Sequence, residues 1–228
     1  MLLKRFNPTR RTTKVTKPDF HRADSNNSFG PQDIAIVAVF GALWGLMEIT
    51  LGVTLKGLRI PMGGAILTAI AAIIFLTGRY FVRKKGSIIM MGTVAALLKI
   101  FSIGTVITGP FIAILLEAVF AEIIITVMGV NRLSFLFTPV FLLLYTIIHP
   151  FISQGLLFGD DIYTVYLLTF KKIASILNIG MNHLVWVALI YAGIHIILGL
   201  FSGWLAFSVA RKVEEELTRQ TENIGIHS

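Results

Sequence analysis

The chain has 228 residues, a formal net charge of +8, and 55% hydrophobic against 14% charged residues, with a mean hydropathy of +0.81. That balance points to a polytopic membrane protein built from stretches of about twenty apolar residues, each able to cross a hydrocarbon core of roughly 30 Å. One bundle of this length leaves no room for a soluble catalytic or nucleotide-binding domain, and the absence of cysteine excludes disulfides, thiolate ligands and Cys nucleophiles.

Residues 1–32 are expected to form a basic, disordered cytoplasmic tail. Lys4, Arg5, Arg10, Arg11, Lys14, Lys17 and Arg22 stand there among Thr, Asn, Ser and Pro, with too few apolar residues for a core. No short apolar region with a small-residue cleavage site follows, so a signal peptide is not expected. The membrane domain, residues 33–210, reads as six helices: Ile34 to Val53, Ile60 to Phe81, Ser87 to Ile107, Phe111 to Val130, Leu133 to Leu157 and Leu184 to Val209. Pro61 and Pro110 fall near helix starts, where a missing amide hydrogen costs little. Residues 163–178, with Lys171 and Lys172 in their middle, suggest an interfacial helix. Residues 211–228 form a charged cytoplasmic tail, and Glu214, Glu215 and Glu216 read as a solvated helix end. Period-2 alternation is absent, which argues against a membrane barrel. The predicted fold is therefore an all-α integral membrane protein, a six-transmembrane-helix bundle.

With both termini inside, fifteen Lys and Arg lie on the cytoplasmic side, and Lys56, Arg59, Lys171 and Lys172 on the other. The bias predicts cytoplasmic termini and a multi-pass protein of the cell membrane. The basic residues flank the spans, where they orient helices and meet anionic lipid, so nucleic acid is not an expected partner.

Ionisable residues inside the spans are Glu48, Lys99, Glu117, Glu122, His149, His183 and His195. Such groups are costly at membrane depth and by default face a protein interior or a wet cavity. Counting 1.5 Å per residue places Glu48, Lys99, Glu117, Tyr145, His149, Gln154, Asn182, His183 and Trp186 in one layer toward the outer face, contributed by five of the six spans. This layer is the expected substrate-binding cavity. Glu122 lies about 140° round the helix from Glu117, and His195 is deeper, so neither joins it. Other readings stand beside this one. Lys99 and Glu117, on successive antiparallel helices, can neutralise each other as a structural pair. Glu48 can reach water or Arg59, and His149 can support a kink at Pro150. His183 and Trp186 can belong to an aromatic belt.

The first span also carries two small-residue pairs, Ala38 with Ala42 and Gly41 with Gly45, on adjoining faces. They permit close approach by another helix, within the bundle or from a partner.

Six spans with cytoplasmic termini, the Ala38-Val39-Phe40-Gly41-Ala42 segment, a short outer loop leading to Ile60-Pro61-Met62-Gly63-Gly64, and the Glu117-Ala118-Val119-Phe120-Ala121-Glu122 stretch together resemble the substrate-binding S component of an energy-coupling factor (ECF) vitamin transporter. The resemblance covers residues 33–210 and is one of architecture. It implies a high-affinity vitamin or vitamin-precursor site near the outer face, gated by the loop after the first helix, here about Thr54 to Pro61. It also implies that Ala38 and Ala42 pack against a transmembrane coupling subunit, that two cytoplasmic ATPase subunits use ATP, and that the S component topples to release cargo. This chain would then hold no cofactor of its own.

For the ligand, Trp186, Tyr145 and Phe111 offer flat faces beside hydrogen-bonding groups of both polarities. That mixture suits a heteroaromatic, polar micronutrient such as a thiamine precursor or another B-type vitamin. A metal-transport S component is less expected, since no His-rich amino terminus is present, although His149, His183 and Glu117 can in principle form a site. An enzyme is not expected, since Gly-x-Ser-x-Gly and His-Glu-x-x-His are absent. The competing reading is an ion- or proton-coupled secondary transporter of a small polar solute, which can use the same buried groups.

Overall fold

A computed structural model describes residues 28–60, 62–101, 108–151, 162–177 and 184–226. The described residues form seven helices and no strand: α1 (Pro31–Gly57), α2 (Gly63–Phe81), α3 (Ser87–Lys99), α4 (Thr108–Met128), α5 (Arg132–Phe151), α6 (Ile162–Leu177) and α7 (Leu184–Ile226). Five of them, α1, α2, α4, α5 and α7, are long and apolar enough to cross a membrane. This is an α-helical, multi-pass membrane protein.

A sixth span is not established, because the expected span from Ser87 to Ile107 is described only through residue 101, as the short helix α3. Its 13 residues reach roughly 20 Å, short of a hydrocarbon core, and at Ile100 and Phe101 the chain tightens into i→i+3 bonds to Leu97 and Leu98. The charged residues from Arg211 are helical and continue α7, which runs unbroken for 43 residues to Ile226.

Six helices pack as a closed ring in the order α1, α3, α4, α5, α7, α2, with α2 also touching α5 across the centre, while α6 lies against α5 and α7. Missing side chains set two of these contacts. A Cβ on Gly41 or Gly45 would stand 2.9 Å from the Met91 carbonyl oxygen or 2.7 Å from Leu98 Cδ1, so the glycine pair of α1 is consumed by α3. On α7, a Cβ at Gly199 or Gly203 would meet the α5 backbone at Val140 and Phe135. Between the helices, Trp44 and Phe75 stack at 5.2 Å in a core completed by Met91, Ile125, Phe135 and Leu142.

One end of the bundle is tied by polar contacts. Asp33 accepts from the Gly30 amide at 2.9 Å and pairs with Lys84 at 2.8 Å. Arg79 pairs with Glu122 at 3.4 Å and donates to Ser87 Oγ and to the carbonyls of Val82 and Lys84. Glu122 in turn accepts from the Ile88 amide at 2.9 Å, satisfying one free donor at the start of α3. Tyr80 donates to Glu214 at 2.7 Å. The start of α1 and the charged stretch of α7 therefore lie at this same end.

Candidate functional site

The opposite end holds a cavity of about 930 Å³, within the 300–1,000 Å³ range of small-molecule sites. Antiparallel packing converges there the C-terminal halves of α1 and α5, the last residue of α3 and the N-terminal halves of α2 and α4. Glu48 and Gly52 come from α1, Thr68 from α2, Lys99 from α3, Glu117 from α4, and Thr146 and His149 from α5. Aliphatic wall is supplied by Leu55, Leu67 and Ile114, and the rim carries Lys56, Arg59 and Lys172, all exposed.

The buried charges pair differently from the sequence-based expectation. Lys99 bonds Glu48, not Glu117: its Nζ lies 3.3 Å from Glu48 Oε2 and donates to the Glu48 carbonyl. The cause is the Gly41–Gly45 seam, which draws α3 against α1. Gly52, one turn beyond Glu48, leaves space for the ammonium, since a Cβ there would lie 2.9 Å from Lys99 Nζ. Arg59 is accordingly not the partner of Glu48. Glu117 is 7% exposed and accepts a 2.7 Å hydrogen bond from Thr68. It has no cationic partner among the described residues.

Of the other expected site residues, His149 lines the cavity and its Nδ1 lies 2.7 Å from the Tyr145 hydroxyl. Tyr145 stands behind it, packed edge-on against Phe120 at 5.0 Å, and so orients the imidazole without itself lining the cavity. Helix α5 continues past Pro150 to Phe151. Trp186 is 64% exposed on α7 and is not among the described cavity residues, and Phe111 packs against the core. The aromatic walls expected from Trp186, Tyr145 and Phe111 are thus replaced by aliphatic ones. Gln154, Asn182 and His183 lie outside the described residues. Glu122 belongs to the other end of the bundle, and His195 is buried with Nδ1 2.8 Å from the Tyr191 carbonyl oxygen.

Of the loop expected from Thr54 to Pro61, the residues through Gly57 belong to α1, and Pro61 lies outside the described residues. The helix closes on a left-handed residue: Arg59 has φ 52°, its amide bonds the Lys56 carbonyl, and the Ile60 amide bonds the Leu55 carbonyl, each at 3.0 Å. This is a Schellman closure with arginine where glycine is usual. Sequence reasoning missed the contributions of Thr68, Gly52 and the rim cations. The one available signal was Gly52, four residues after Glu48 on the same helix face.

Ala38 and Ala42 are exposed on α1, beside the buried Gly41 and Gly45. No group of three or more metal-binding side chains occurs among the described residues. Compared with protein-family models, with curated proteins and with solved structures, the chain matches none.

Proposed function

We propose that this chain is the high-affinity substrate-binding subunit, the S component, of an ATP-driven ECF importer for a vitamin-like micronutrient. The observation that carries the reading is the cavity at one end of the ring, where Glu48, Lys99, Glu117 and His149 converge on a space the size of a small ligand. Small-molecule sites combine such an apolar wall with a few placed polar groups. The open Ala38–Ala42 face of α1 is compatible with docking of a transmembrane coupling subunit, whose two ATPase partners would use ATP. The cavity end is then the outer one, and the end carrying Asp33, Lys84 and Glu214 is cytoplasmic.

The test has two parts. The protein is first purified in detergent and the small molecules released on denaturation are identified by mass spectrometry; a stoichiometric polar micronutrient is the expected result. Purification from the native membrane then asks whether ATPase subunits accompany the chain. Uptake that follows an ion gradient and proceeds without ATP or ATPase partners would instead establish the secondary carrier.

A further inference from the structure

Charge is divided unevenly between the floor and the rim of the cavity. The buried floor holds two carboxyl groups, Glu48 and Glu117, and a single ammonium, Lys99. That ammonium is already committed to Glu48 through both its carboxylate and its carbonyl. Glu117 is left with the Thr68 hydroxyl as its one hydrogen-bond donor among the described residues, although a carboxylate has about four acceptor positions. Lys56, Arg59 and Lys172 at the rim are the reverse case: three exposed cations, none in an ion pair among the described residues. Arg59 is in addition held at a positive φ of 52°, a left-handed conformation that is unfavourable for a residue with a Cβ. It occupies the position in the helix closure where glycine would serve the backbone best.

A buried carboxyl lacking donors calls for a cationic or multiply N–H-bearing group, and a cluster of unpaired cations calls for an anion. Building on the substrate-binding reading above, we infer that the cavity takes an amphoteric small molecule, its primary ammonium directed to Glu117 at the floor and a phosphate or carboxylate held by Lys56, Arg59 and Lys172 at the rim. Leu55, Leu67 and Ile114 cover the apolar body between the two ends. The Glu48–Lys99 pair stays intact and sets the depth of the floor.

The probes are pyridoxamine 5′-phosphate, which carries both groups, pyridoxamine, which lacks the phosphate, and pyridoxine 5′-phosphate, which lacks the amine. Titrated into the intact purified protein, the first should bind at least about tenfold more tightly than either of the others, the weight of one charge-assisted hydrogen bond. Glu117→Gln, which keeps an acceptor for Thr68, should erase the preference for the amine and leave that for the phosphate. Arg59→Gly should weaken the preference for the phosphate while leaving unliganded thermal stability unchanged or raised, because glycine relieves the left-handed turn. Equal affinities for the three probes, no binding of any, or variants that leave the ranking intact would overturn the inference.

A phosphatidylethanolamine headgroup carries the same two charges. Binding of pyridoxamine 5′-phosphate should therefore persist in phosphatidylglycerol nanodiscs and survive addition of phosphatidylethanolamine; displacement by that lipid would assign the cavity to a headgroup and overturn a soluble ligand. The importer reading fails separately. Absence of ATPase partners would remove it with the probe ranking untouched, and ATP-driven uptake of a solute without both groups would keep it while removing the amphoteric ligand.

Discussion

A buried charge is only as stable as its partner, and Lys99 with Glu48 shows how narrowly that condition is met. Removing one member strands the other in the interior, which typically costs 3–5 kcal/mol, whereas neutralising both together is often tolerated. Lys99→Met should therefore lower stability by roughly 3–5 kcal/mol, and Glu48→Gln added to it should recover most of the loss, as read from thermal unfolding in detergent. A Glu117→Gln change should not rescue Lys99→Met, because Glu117 bonds Thr68 instead. Gly52 offers a finer probe of the same pair. Alanine there brings a Cβ within 2.9 Å of Lys99 Nζ, and the flexible end of the lysine yields first, moving off Glu48. Gly52→Ala should cost about 1–2 kcal/mol in the native protein and almost nothing in the Lys99→Met background, a non-additivity expected only of groups in contact. Additive effects would place the clash elsewhere.

Helices in this bundle meet through absent side chains, and α7 contains its own control. At Gly203 an added Cβ would fall 2.1 Å from the Phe135 carbonyl oxygen, while at Gly193 it would meet nothing within 4 Å. Gly203→Ala must push α5 and α7 apart and should cost at least about 1–3 kcal/mol. Gly193→Ala should be neutral or stabilising by up to about 1 kcal/mol through helix propensity alone. Thermal midpoints of the two variants compare them directly. The contrast also marks what the sequence discloses. Runs of apolar residues announce the long helices because hydrophobic length is a one-dimensional property, and α1, α2, α4, α5 and α7 emerge from it, although α7 runs on to Ile226 where the apolar run ends at Val209. Which face of a helix meets which neighbour is not written in that run. Gly41 and Gly45 are legible as a packing pair but not as the seam with α3, so the sequence offers Lys99 a partner on the next helix, α4, whereas its partner is Glu48 on α1. Thr68 is one hydroxyl among many that satisfy themselves within a helix, and nothing local separates it from Thr77, which donates to Ile73. Lys56, Arg59 and Lys172 carry the same sequence signal as orienting interfacial charges, and only the fold brings them to one rim.

At the scale of the whole molecule, α1 has two small-residue faces with different fates. Gly41 and Gly45 are spent inside the ring against Met91, Val94, Ala95 and Leu98, whereas Ala38 and Ala42 remain exposed on the outside, next to exposed Val39, Leu43 and Leu46. A strip of small residues among large aliphatic ones is a shallow groove along the helix, of the kind that admits a second helix at short range. The cavity opens at the far end of α1 from Ala38, with Glu48 and Gly52 two to four turns further along the same helix. On the importer reading, docking on the strip and binding in the cavity would therefore use separate surfaces of one helix. If the chain is an importer subunit as proposed, replacing both Ala38 and Ala42 with Trp should leave folding and ligand binding in detergent close to those of the native protein, and should abolish ATP-dependent uptake and copurification of a coupling subunit. Gly45→Trp should instead collapse binding and stability together, because the indole has no room against Leu98. If the alanine replacements weakened binding as Gly45→Trp does, the strip would serve the internal fold and the coupling role would fall. If they left ATP-dependent uptake intact, the partner would have to engage another face of the ring.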